Sequence, residues 1–180
     1  MIPFAASASR YSEWLRALID EGAEVPFPSV RGKEQARVEI APGMVLSVPV
    51  SGGASILKRR DCSEVMISDH GRWQEVHLGA LKAVFGKTPY FQHIYPEIEN
   101  IYRKYGEGRL EDFNLTLHRL VIHWLGADDE ESIESLLTMS QERRLLIKRI
   151  GEERKKEIDM NHSIFGALFR LGRESLFALL

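Results

Sequence analysis

The 180-residue chain has a single cysteine, Cys62, which excludes an intramolecular disulfide and a cysteine cluster for structural zinc. A lone thiol suits a reducing compartment. Net charge is scarce too. The 24 Lys and Arg against 26 Asp and Glu leave −2, so there is no strongly positive field to attract nucleic-acid phosphates. No apolar run approaches the ~20 residues needed to span a bilayer. The opening segment lacks a basic stretch and a long apolar run before Arg10 and Glu13, which argues against a signal peptide. These absences predict a soluble, cytoplasmic protein with no membrane span and no nucleic-acid partner. Also missing are a Gly-x-Ser-x-Gly elbow, a glycosidase-like carboxylate pair, an internal repeat and a low-complexity linker.

What is present fits one ordinary core. Hydrophobic residues at 44% and charged residues at 28% are typical of a globular chain. The length suits a single domain over residues 1–180, given the usual ~100–200 residues per domain. Pro3 to Ala6 is short and apolar and reads as a strand. A helix from about Ser9 to Asp20 puts Tyr11, Trp14, Leu15 and Leu18 on one face. Two prolines in Val25–Val30 bar a helix there. Gln35 to Ile40 alternates, Pro42-Gly43 supplies a turn, and Met44 to Val50 completes a hairpin. Glu64 to Ile67 reads as one more short strand.

From Arg72 the period becomes helical. Trp73, Val76, His77, Ala80, Leu81 and Val84 share one stripe, closed by Gly86. A second helix follows Pro89 to about Tyr105, and a third covers Leu110 to Trp124. A fourth, acidic at its start, runs from Glu130 to Glu157 and offers a surface on which two copies could pair as a homo-oligomer. A last helix begins at a Ser163 N-cap, and the apolar end Leu176 to Leu180 should dock on the body. The fold class is α+β: a small mixed or antiparallel sheet from about 1–70 packed against a mainly helical part from about 71–180.

Gly86-Lys87-Thr88 resembles a phosphate loop, but Leu81 stands where its first Gly belongs, and the motif follows a helix instead of a strand. Neither His70/His77 nor His118/His123 has the i, i+4 spacing of a helical zinc pair. Nothing in these motifs calls for a metal or a cofactor. His77 lies one turn after Trp73, beyond the strand-to-helix junction at Asp69 and His70. Such a histidine can act as a general acid or base, or sit packed with its ring bonded to a backbone carbonyl.

Three segments carry a family likeness. They are Leu46-Ser47-Val48-Pro49-Val50 with Gly52-Gly53; Trp73-x-x-x-His77 with Phe85, Thr88-Pro89-Tyr90-Phe91 and Tyr95; and Asn161-His162-Ser163-Ile164 with Leu168-Phe169 and Leu171-Gly172. In this order they resemble the WbqC-like family, whose members occur in gene clusters for bacterial surface polysaccharides such as O-antigen. The resemblance implies a transferase acting on a small-molecule or sugar-nucleotide substrate, attaching glycine or another aminoacyl group to an amino sugar. It implies that Trp73 and His77 line the pocket, with His77 as the catalytic base. It also implies that Arg37 binds a carboxylate or phosphate and that Asn161 and Ser163 add polar contacts, although helix capping explains that last pair equally well. The chain departs from the family's Tyr-Arg-Asn run, which reads Glu34-Gln35-Ala36 here, and its Tyr-x-Gln is not recognisable in Lys148 to Asp159. A divergent binding or interaction domain that keeps the fold without the chemistry is the alternative.

Overall fold

The architecture was obtained as a computed structural model, which describes residues 3–21, 25–59, 64–105, 107–126, 149 and 152–180. Helix α1 spans Ala8–Glu21 and buries the four expected side chains, Tyr11, Trp14, Leu15 and Leu18. A 3-10 turn over Gly32–Gln35 then leads into an antiparallel hairpin of β1 (Arg37–Ala41) and β2 (Met44–Ser47). Gly43 supplies the positive φ of the turn, and the Glu39 carboxylate accepts its N–H at 2.7 Å. Pairing runs Arg37 to Ser47, Val38 to Leu46 and Glu39 to Val45, with a bulge before Ala41. The ladder stops short of Val50 because Pro49 has no N–H to donate.

Two expected strands take other forms. Pro3 to Ala6 is a turn, since Ala5 adopts φ 41 and breaks the extended chain. Only Ser7 forms a bridge, to Ser163. Glu64 to Ile67 is threaded between two unlike neighbours and joins no ladder. Met66 C=O accepts from Ser51, Ile67 N–H donates to Gly108, and Leu110 N–H donates to Val65. Its backbone groups are thus satisfied by separate bridges.

After the short helix α2 (Ile56–Arg59), the body is built from α3 (Trp73–Phe85), α4 (Phe91–Tyr105) and α5 (Leu110–Leu125). Helix α3 turns inward on His77, Leu81 and Phe85, one turn apart, so Val76 faces solvent instead of sharing the stripe. Helix α4 buries Phe91, Ile94, Ile98 and Tyr102 and packs on α5, where Phe113, Leu117 and Val121 are buried. Helix α5 ends at Gly126 with φ 70, a left-handed cap.

Helix α6 (Ile164–Leu171) touches α1, α3, α4 and α5, and α7 (Ser175–Leu179) docks on α1 with Leu176 and Leu179 buried. The apolar chain end is therefore covered, as hydrophobic burial requires. Most of the helix expected over Glu130–Glu157, the acidic run 128–131 and Cys62 lie outside the described residues; at that helix's end, 152–154 is helical and Lys155–Glu157 is a 3-10 turn. Hairpin and helices share one hydrophobic cluster, from Phe4 and Leu46 to Phe113 and Phe169. The fold is α+β.

Candidate functional site

Helix α3 carries His77 beneath β2, where its Nε2 lies 3.2 Å from the Ser47 carbonyl oxygen. A carbonyl can only accept, so Nε2 bears the proton and Nδ1 offers its lone pair to the Tyr102 hydroxyl, also at 3.2 Å. The ring is buried, stacked near Phe4 and edge-on to Trp73. Burial strips water from the charged form and lowers the His77 pKa to about 4, with the Ser47 bond opposing this only in part. Half-buried Trp73 also meets Tyr102 and Phe113. Both nitrogens of His77 are therefore engaged within the protein, whereas a general base needs a lone pair facing its substrate.

Arg37 stands opposite Ser47 across the hairpin, with its side chain exposed. It lines a cleft of about 450 Å³ together with Lys33, Ser47, Val48, Pro49 and Leu57. Among the described residues, neither Lys33 nor Arg37 forms an ion pair. Trp73 and His77 do not line this cleft. They reach it through the backbone, because Ser47 forms its wall on one side and accepts the His77 N–H on the other. Arg37 and the Trp73–His77 pair are thus joined by one residue and not gathered around one cavity.

A second cleft, of about 480 Å³, opens between the β1 end of the hairpin and the start of α6. Ser163 lines it, but its hydroxyl is committed: it accepts from Phe165 N–H at 3.3 Å and donates to the Ala5 carbonyl at 3.0 Å. Ser163 is thus the N-cap of α6. Asn161 is exposed and does not line the cleft; its backbone N–H donates to Asp159 Oδ1 at 2.9 Å. Between them lies His162, which sequence reasoning passed over. Its Nδ1 is 2.7 Å from Asp159 Oδ2 and its Nε2 is 3.7 Å from Glu39 Oε1, with the side chain 15% exposed. The one sequence signal was an Asp three residues before a His at a helix start. Glu39 arrives only through the fold.

Among the described residues, no group of three or more His, Cys, Asp and Glu side chains could hold a metal ion. No helix among them is long and apolar enough to cross a membrane. Residues 30–164 match the model of the WbqC-like protein family, a stretch that holds the hairpin, α3 to α5 and the Asp159–Ser163 segment. No curated protein and no solved structure gives a significant match.

Proposed function

Since the chain belongs to the WbqC-like protein family, we propose that it is a transferase of bacterial surface-polysaccharide synthesis, of the O-antigen type. Its substrate is a nucleotide-linked amino sugar, to which it transfers glycine or another aminoacyl group. The observation that carries this reading is the cleft of Lys33 and Arg37: two cations without ion-pair partners beside the apolar Val48, Pro49 and Leu57. Two unpaired cations suit a diphosphate, with the Arg37 guanidinium matching a phosphate bidentately. The apolar wall suits a base or sugar face. His77 serves here as a positioning residue, holding the Ser47 carbonyl and so the cleft wall.

A UDP-linked amino sugar titrated into the protein should bind saturably, and Arg37→Gln should weaken it about tenfold or more, the loss of one charge-assisted contact. Incubation with that sugar and an activated glycine donor should give a product heavier by one glycyl group. No binding and no product would overturn the reading.

A second reading, a binding domain without chemistry, draws support from one observation: neither cleft described above is lined by both Arg37 and His77. It predicts binding of the sugar without any product.

A further inference from the structure

We infer that Gln35 and Asn114 are positioning residues for the cation cleft, a buried amide relay that runs from α5 and sets how far the α2 wall stands from Lys33 and Arg37. What the cleft binds rests on the transferase reading above, while the relay is read from its own bonds.

The walls of the cleft come from three parts of the chain. Lys33, Ala36 and Arg37 form one, Ser47 to Val50 the second, and Gly53, Ala54 and Leu57 the third. The first two are joined by the pairing of Arg37 with Ser47 and by the Val48 N–H, which donates to the Ala36 carbonyl at 2.8 Å. They move as one piece. The third wall is carried by α2, a helix of four residues, and a helix that short is marginal by itself. Leu57 is buried in the core and holds α2 against the body, but apolar contact is non-directional and leaves its register open.

Gln35 closes that gap. It stands between the two cations in the sequence yet is 3% exposed, and its side-chain amide donates to the Leu57 carbonyl at 3.2 Å. A carbonyl only accepts, so the atom facing Leu57 is Nε2. By the same rule the Gln35 carbonyl accepts from Nδ2 of Asn114, at 2.7 Å. Asn114 is wholly buried on α5, within the helical body. One residue therefore serves both sides of the cleft: its main chain ties the stretch bearing Lys33 and Arg37 to α5, and its side chain ties α2 to that stretch.

The arrangement decides which ligands feel the relay. A ligand with both an anion and a flat ring must meet the cations and the α2 wall together, so it needs the two walls at a fixed separation. An anion alone needs only the cations.

The test is calorimetric binding of two probes, UDP and inorganic pyrophosphate, to wild type, Gln35→Met and Asn114→Leu, with hydrogen exchange recorded on each protein. Each variant should weaken UDP about threefold or more, within the ~2–12-fold by which one net hydrogen bond shifts an equilibrium. Pyrophosphate should bind all three proteins alike. In Gln35→Met, exchange should quicken over residues 53–59 and stay unchanged in the hairpin, whereas a general loss of structure would quicken both and weaken both probes. Should one variant fold poorly, the other carries the comparison. Equal weakening of the two probes, or UDP binding unchanged by either substitution, would overturn the inference. If wild type binds neither probe nor a UDP-linked amino sugar, the transferase reading fails and exchange decides: a rise confined to 53–59 keeps the relay, and none removes it. If the amino sugar binds wild type and Gln35→Met equally, the relay fails and the transferase reading stands.

Discussion

Replacing His77 with phenylalanine separates a positioning role from a catalytic one, because the ring keeps its volume and loses only its polar bonds. The variant forfeits the bonds to Tyr102 and Ser47, each worth about 0.5–1.5 kcal/mol net. It also leaves the Tyr102 hydroxyl, fully buried, without an acceptor, a desolvation cost of about 1–3 kcal/mol. The expected loss is about 2–6 kcal/mol at pH 7. His77→Ala should lose more than His77→Phe, because it also empties the space against Phe4, Trp73 and Tyr102.

The loss should depend on pH. The folded His77 pKa is lowered to about 4 against an unfolded value of ~6.5, so the unfolded chain binds the proton first. The contribution of the neutral ring is therefore full above pH ~6.5 and is lost as pH falls toward 4, by about 3 kcal/mol. That is a large part of the loss expected from the substitution. Wild type and His77→Phe should therefore differ clearly at pH 7 and converge near pH 4. Urea unfolding at both pH values, with equal m-values, measures this. A variant within 0.5 kcal/mol of wild type at pH 7, in the manner of a neutral surface change, would refute the positioning account.

Three further expectations follow from single contacts. His118 is buried beside Tyr11 and Arg119, with its pKa lowered to about 4 chiefly by burial, so His118→Phe should likewise flatten the stability profile between pH ~6.5 and 4. Gly172→Ala places a Cβ 2.7 Å from the Tyr90 ring at φ 54 and should cost about 3 kcal/mol in denaturant unfolding, from strain and crowding together. Ser163→Ala removes the α6 cap and the bond to Ala5 and should cost about 1–2 kcal/mol, read as a lowered melting temperature.

The helices were legible because their apolar spacing is decided locally. Tyr11, Trp14, Leu15 and Leu18 on α1, and Phe91, Ile94, Ile98 and Tyr102 on α4, face inward as the period requires. The hairpin was legible through Pro42-Gly43, whose turn chemistry is equally local. The errors came where tertiary contacts decide. Ala5 has no sequence mark of a positive φ, so the Pro3 to Ala6 turn read as a strand. Glu64 to Ile67 has strand composition but meets Pro49 to Ser51 on one side and Gly108 to Leu110 on the other, which no pattern reveals. Val76 fits the helical stripe of α3 and still faces water, because the buried face centres on His77, Leu81 and Phe85.

At the site, the sequence singled out Arg37, Trp73, His77, Asn161 and Ser163 but could not say how they sit together. His162 was overlooked because its carboxylate neighbours come from Asp159, three residues away, and from Glu39 on the hairpin. The sequence leaves the His77 ring two roles, and only the approach of Ser47 and Tyr102 from other elements defines its bonds.

The most direct measurement is a calorimetric titration of a UDP-linked amino sugar into wild type and Arg37→Gln, with melting temperatures recorded for both. The account predicts saturable binding by wild type, weakened about tenfold or more in the variant at an unchanged melting temperature, since Arg37 is exposed and unpaired. Equal binding by the two proteins, or none by wild type, would contradict it.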